Sequence, residues 1–474
     1  MFTTRGRHLP CVVVGIGCVL ALGGVRPAAL ATGHALTAPR ARGHAPPGVA
    51  SSGPVVLRTV RVGLHPGAIA VDERTRRAFV VDEGRDAVNG HAGARGSVSV
   101  LDAATGAVLR TTAVGVGADA VAVDEQAGRV FVVNTSDGTV SVLDAATGAV
   151  LRTPTVGANG QAPIAVVADA RIGRMLVPTS DGMRGALVVL DSRTGAVMQT
   201  LEGYGPRIRV AVHARDGRAF IGDTVVRAGQ GSPAQISIVD PLRGVTRRTI
   251  TLPAASDAAS VFPDTISGLA VDARTGRLVV AHAAIGGRAE DVERGTPSAV
   301  NILDAATGAV RATTTVSGLA GVLAIDQGAG RAVVVAPCEA AAGAPACQAI
   351  VSVLDIGSGT VHGVTRLPVS PATTDGAYQS YPRAVVVSLA VDEQQGRAYV
   401  AFQNVALQKG DVAVGTGQVA VVDTGTGRQV RVIAVGTGEG GSAVALRERR
   451  VFVSNRDDGT VSVLDAKVAG VGRS

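Results

Sequence analysis

Three histidines, His65, His91 and His282, fall in segments that also carry Asp82, Glu83, Asp86, Glu290, Asp291 and Glu293. Imidazole and carboxylate together can hold a divalent metal or relay a proton. The groups come from separate stretches with no fixed interval between them, which is the pattern of a solvated polar surface rather than a ligand set. His213 and His362 occupy positions within repeated strands and are read as structural. Cys338 and Cys347 are the second chemical feature. A redox pair needs a two-residue gap and zinc needs two further ligands, but the segment between these cysteines offers only Glu339. A structural disulfide is therefore expected if the chain is exported. No CxxCH, GxSxG, Walker or dinucleotide fingerprint occurs in a strand-to-helix context, and no cofactor is expected.

Aromatic residues are few, with 7 Phe, 4 Tyr and no Trp. Phe79, Phe131, Phe220, Tyr399 and Phe452 share one position in Val-rich segments and are expected in the core. Tyr204, Phe262, Tyr378 and Tyr381 fall instead in the connections between repeats. There they would either plug the ends of packed units or form a recognition surface.

What positions these residues is a repeat. The string LDAATGAV begins at Leu101, Leu143 and Leu303, with relaxed copies elsewhere. Its Asp recurs at Asp102, Asp144, Asp191, Asp240, Asp304, Asp355, Asp423 and Asp465, the shortest interval being 42 residues. That is the length of a four-stranded propeller blade. In the unit Ala118 to Gly157, ADAVAVD, RVFVVN, TVSVLD and AVLRTPTVG are four short strands, A to D, separated by EQAG, TSDG and AATG turns. Asp at the start of DAATG can cap a type I turn and its Gly can take positive φ. No segment beyond residue 55 has a convincing helical period.

VFVVNTSDGTVSVLDAATGAVLRT, from Val130 to Thr153, and VFVSNRDDGTVSVLD, from Val451 to Asp465, resemble the YVTN-repeat β-propellers of exported bacterial and archaeal proteins. The resemblance extends over roughly Val55 to Asp465, although the Asn after strand B is replaced at Asp82, Thr179 and His282. It implies an all-β fold, a single β-propeller of four-stranded blades. Eight blades are expected, with seven the alternative if the divergent unit Pro206 to Val245 packs irregularly. Because VVLRTVRV at Val55 to Val62 matches the D strands, it is expected to complete the last blade beside Val461 to Leu464 and close the ring. Propellers that bind quinone cofactors use tryptophan docking in their repeats, and this chain has none.

In this arrangement the A-B and C-D turns share one face and are short, whereas insertions collect in the B-C and D-A connections of the other. That insertion face is where binding residues are expected, namely Tyr204, Phe262, Tyr378, Tyr381, His65, His91 and His282. Residues 1–31 have the basic, apolar and small-residue parts of a signal peptide, and residues 32–54 form a disordered Pro/Ala/Gly/Arg spacer before a propeller at 55–474. No apolar run after the leader is long enough to span a bilayer. The formal charge is +7, but five arginines precede residue 51 without any acid, leaving 40 bases against 38 acids beyond it. Nucleic acid is therefore not an expected partner. The expected function is an exported, monomeric binding or scaffold module that engages a protein or cell-envelope partner. The alternative is a lactonase-like hydrolase with a metal or acid/base site at the channel mouth, supported by fold analogy alone.

Overall fold

The computed structural model describes residues 55–84, 94–157, 160–224, 233–253, 264–284, 297–339, 348–368, 383–408 and 411–466. Its strands form eight antiparallel sheets, seven of four strands and one in which the innermost strand is split in two. The chain is an eight-bladed β-propeller. Blade 1 runs through Pro66–Asp72, Arg77–Asp82, Arg95–Asp102 and Val108–Val116, and blade 2 through Ala118–Asp124, Arg129–Asn134, Thr139–Asp144 and Val150–Arg152. The inner strands touch in ring order, so that Pro66–Asp72 contacts both Ala118–Asp124 and Glu439–Ala445 of blade 8. The divergent unit is a regular blade 4, built from Arg209–His213, Arg218–Thr224, Ala234–Asp240 and Val245–Thr251. The seven-bladed alternative is thereby excluded.

Closure follows the expected route. Val56–Arg61 pairs antiparallel with Thr460–Asp465, in the register Thr59 with Ser462 and Val60 with Val461. The first strand of the chain thus supplies the outer strand of the last blade.

Each junction between consecutive blades holds one apolar cluster, and there are eight of them. Val, Ala and Ile alternate along each strand, so both faces of every sheet meet a neighbour and no blade buries its faces alone. Phe79, Phe131, Phe220, Tyr399 and Phe452 are fully buried, as their shared position predicts.

The turns explain the repeat string. Asp144 Oδ1 accepts hydrogen bonds from the Ala146 N–H at 3.1 Å, the Thr147 N–H at 2.9 Å and the Thr147 hydroxyl at 3.0 Å. Gly148, at φ 69°, supplies the left-handed step that closes the turn. The other carboxylate oxygen receives Arg129 from the start of strand B at 3.0 Å. The same arginine-to-Asp pair recurs in other blades as Arg174 with Asp191, Arg277 with Asp304, Arg331 with Asp355, Arg397 with Asp423 and Arg450 with Asp465. Partial burial works against the Asp144 carboxylate, yet the turn donors and Arg129 hold its pKa below the ordinary value.

Candidate functional site

The two faces differ in kind. All eight A-B connections are four-residue turns (73–76, 125–128, 170–173, 214–217, 273–276, 327–330, 393–396 and 446–449). On the opposite face the intervals between strands reach 13 residues at 285–297 and 16 at 367–382. Blade 7 also projects there, because Arg397–Gln408 and Asp411–Asp423 remain paired out to Gln408 with Asp411.

Of the residues singled out on this insertion face, Tyr204, His65 and His282 are described. His91, Phe262, Tyr378, Tyr381 and Cys347 lie outside the described residues, as does the side chain of Cys338, and so do the leader and spacer. Tyr204 ends the outer strand Val197–Tyr204 of blade 3 and is 8% exposed. It packs with Leu201, Ile208 and Val210, and its hydroxyl lies 3.5 Å from Thr246 Oγ1 of blade 4. His65 precedes the inner strand of blade 1, whereas His282 lies in Arg277–Ala284 of blade 5, four positions around the ring, so the fold does not bring them together. His282 is fully buried; its Nε2 donates to Asn301 Oδ1 at 2.5 Å and its Nδ1 lies 3.6 Å from Asp264 Oδ2. Among the described residues, no three His, Cys, Asp or Glu side chains converge as metal ligands.

His282 occupies the position that the sequence aligns with the Asn of strand B, a position whose contacts the sequence alone does not reveal. The sixth position of strand B carries Asp82, Asn134, Thr179 and Asn455 in blades 1, 2, 3 and 8, all buried. Asn134 Oδ1 accepts the N–H of Gly115 from the outer strand of blade 1 at 3.1 Å. Its Nδ2 donates to Thr139 Oγ1 and Ser141 Oγ, each at 2.9 Å. Asn455 repeats this with Gly436, Thr460 and Ser462. Asp82 meets the same kinds of partner as an acceptor only, its Oδ1 taking the Gly63 N–H and its Oδ2 the hydroxyls of Ser97 and Ser99, and Asp223 of blade 4 accepts from Gly205. In blades 1, 2, 4 and 8 this residue thus holds the end of the outer strand of the blade before it, whereas Thr179 meets Gln161 and His282 meets partners within its own blade. The Asn of the VVN and VSN strings is a clamp between blades, which accounts for its recurrence without any ligand.

Two further contacts tie the closing junction. Arg456 of blade 8 forms a fork with Glu83 of blade 1, its second nitrogen donating to Oε2 at 2.7 Å. On the short-turn face, Glu73 accepts the N–H groups of Leu446 and Arg447, and Glu125 accepts the Glu73 N–H at 2.8 Å. Burial pushes both glutamates above their ordinary pKa, against the opposing effect of those N–H groups. Because Arg456 is part-exposed, Arg456→Ala should cost only about 1–2 kcal/mol of stability in urea denaturation. A loss that persists unchanged in 1 M salt would point to packing rather than the ion pair.

The short-turn face also has a recess of about 330 Å³ between blades 2 and 3, lined by Asp124, Gln126, Arg171, Arg174, Ser192 and Arg193 among others.

With this geometry in place, comparison with known proteins assigns a family. The family model described as "Outer membrane protein assembly factor BamB" matches residues 94–366, more than half of the chain. The chain belongs to this family. The match runs from strand C of blade 1 to strand D of blade 6. No curated protein matches. Among solved structures, the Dos1 propeller aligns with a TM-score of 0.57 at 10% identity, covering 87% of this chain and 96% of that one. Hydrazine synthase of Kuenenia stuttgartiensis aligns at a TM-score of 0.48 and 16% identity, covering 86% and 98%. At 10% identity the likeness to the Dos1 propeller is one of fold.

Proposed function

We propose that this member of the family is an exported binding or scaffold propeller of YVTN-repeat type, which engages a protein or cell-envelope partner through its B-C and D-A face. The observation that carries this reading is the asymmetry of the connections. One face consists of uniform four-residue A-B turns, whereas the other holds the long intervals and the projecting blade 7 hairpin. The clamp asparagines support the YVTN assignment. Export is supported by the three-part character of residues 1–31. Among the described residues no helix is long and apolar enough to cross a membrane. The hydrolase alternative has less support, since His65 and His282 stand in blades 1 and 5.

Tyr204 is packed in the core, so the test falls on Tyr378 and Tyr381. In pull-downs from the envelope fraction, the Tyr378→Ala/Tyr381→Ala double variant should weaken capture of a specific partner at least tenfold. Gln394→Ala, in an exposed A-B turn of blade 7, should leave capture unchanged. Glu125 is unsuitable as such a control because it caps the turn of blade 1. Loss from Gln394→Ala but not from the double variant would place recognition on the other face.

A further inference from the structure

The exposed charges are sorted between the two faces. In the A-B and C-D turns and at the strand ends that lead into them, every carboxylate except that of Asp216 is buried or half-buried. A cap must lie against the backbone N–H groups it accepts, as Asp124 does with Gln126 at 2.9 Å and Ala127 at 3.0 Å. Asp216 itself receives Arg218 Nε at 2.8 Å. The arginines of the same turns stand outward: Arg447 and Arg449 of blade 8, Arg74 and Arg76 of blade 1, and Arg171 and Arg193 of blade 3 are all exposed. Arg215, Arg243, Arg274 and Arg428 continue the series in blades 4, 5 and 7. On the opposite face, the short B-C turns of blades 2, 3 and 8 expose Asp137, Asp181, Asp457 and Asp458 against Arg184 alone. A chain whose charges nearly balance in sum therefore presents a cationic short-turn face.

The outer strands add an apolar part to one arc of this face. In every blade the pairing of strands C and D shifts by one residue near the start of the outer strand, and the bulged residue is left unpaired. Blades 4 to 7 hold Arg247, Arg311, His362 and Val430 there, so the bulge itself does not demand an apolar side chain. In the consecutive blades 8, 1, 2 and 3 it holds Leu57, Leu109, Leu151 and Met198, each about half exposed. These four lie about 7 Å from the turns by strand rise. In three of the four blades the next residue, Arg58, Arg110 or Arg152, donates to a C-D turn carbonyl of the following blade, at 3.5, 3.2 and 3.2 Å. Those guanidinium groups are thereby drawn toward the same face. Residues 1–54 join the propeller at Val55, two residues before Leu57, so that the apolar run at 11–25 is tethered to this arc.

We propose that the short-turn face of blades 8, 1, 2 and 3 docks peripherally on an anionic lipid bilayer, with its arginines among the headgroups and Leu57, Leu109, Leu151 and Met198 at the edge of the acyl region. Exposed arginine complements anionic headgroups, and interfacial elements enter a bilayer by about 5–10 Å, a depth that reaches the four bulge residues. A soluble polyanion would satisfy the arginines but offer nothing to the apolar side chains. Docking in this way leaves the insertion face turned away from the lipid, so the site is separate from the one proposed for partner binding and stands or falls on its own.

The test is cosedimentation of the full chain with sucrose-loaded vesicles of phosphatidylcholine containing about 40% phosphatidylglycerol, beside vesicles of phosphatidylcholine alone. The anionic vesicles should bind about a hundredfold more tightly, and raising NaCl from about 0.1 to 0.5 M should release most of the protein. The fourfold variant Arg74→Gln/Arg171→Gln/Arg193→Gln/Arg447→Gln should bind at least thirtyfold more weakly with an unchanged melting temperature. Arg193→Gln and Arg447→Gln singly should each lose about threefold, which keeps the test open if the fourfold variant is unstable. Leu109→Ser/Leu151→Ser should lose at least threefold on vesicles and nothing on immobilised dextran sulfate. Arg184→Gln, on the opposite face, should change neither. Vesicle binding untouched by the arginine changes would belong to residues 1–54 and overturn the proposal. Equal vesicle binding by the leucine variant would also overturn it, because the face would then recognise negative charge without the bilayer.

Discussion

Removal of residues 1–63 is expected to make the protein aggregate and to lower its melting temperature by on the order of 10 °C. The segment supplies the whole outer strand of blade 8, paired from Val56 with Leu464 to Arg61 with Thr460. Around it, the Val62 N–H donates to the Gly459 carbonyl and the Asp465 N–H to the Val55 carbonyl, each at 2.9 Å. Gly63 is in turn held by Asp82 of blade 1. Without the segment, Thr460–Asp465 becomes an edge carrying unpaired backbone donors and acceptors, the feature that recruits a second chain. Removal of residues 1–54 alone leaves the strand intact and should change neither property, which separates loss of closure from loss of the residues before it. A peptide spanning residues 55–64 added in trans should restore part of the lost stability by strand addition. A 64–474 protein that stays monomeric with an unchanged melting temperature would show that the ring holds without its first strand.

The blade number was readable because the marker Asp answers a local demand. A turn between strands C and D needs an acceptor for two N–H groups, and the same short string meets that need in blade after blade. Closure was readable because the first strand copies the sequence of the D strands. The divergent unit of blade 4 looked irregular only because its markers differ. Sheet pairing rests on backbone groups, which tolerate His213 where six other blades have Asp and blade 8 has Ala445. The clamp was hidden for the opposite reason. Asp82, Asn134, Asp223 and Asn455 are different residue types that become one feature only when each meets a glycine N–H from the blade before it. Glu73 and Glu125 look in sequence like solvated turn acids, yet their acceptor role depends on which blade is the neighbour. Tyr204 was assigned to a connection but ends a strand, where an apolar ring covers the junction of blades 3 and 4.

The clamp leads to the second large effect, a gain of stability from Asp82→Asn that depends on pH. Burial pushes the Asp82 carboxyl up from 3.8 to about 6, and the hydrogen bonds from Ser99, Ser97 and Gly63 offset only part of that rise. Below pH 3.8 the group is protonated in both folded and unfolded chains and contributes no pH dependence. Between 3.8 and 6 the folded chain binds a proton that the unfolded chain has released, so stability falls as pH rises. Above pH 6 the full penalty applies, roughly 3 kcal/mol for a shift of about two units. Asn is neutral throughout and fits the site, because Asn134 and Asn455 fill the same position with one oxygen toward a glycine N–H and one amide toward two hydroxyls. Urea denaturation at pH 7.5 should therefore show Asp82→Asn more stable than the parent by about 1–3 kcal/mol, and the gain should vanish near pH 4. Asp169, which burial likewise raises to about 6, remains in the variant. The decline in stability from pH 4 to 7 should thus be reduced rather than abolished, and Asp169→Asn should remove a further part of it. A variant that is less stable at pH 7.5 but unchanged at pH 4 would reverse the sign, and would mean that the ionised carboxylate is the form the clamp prefers.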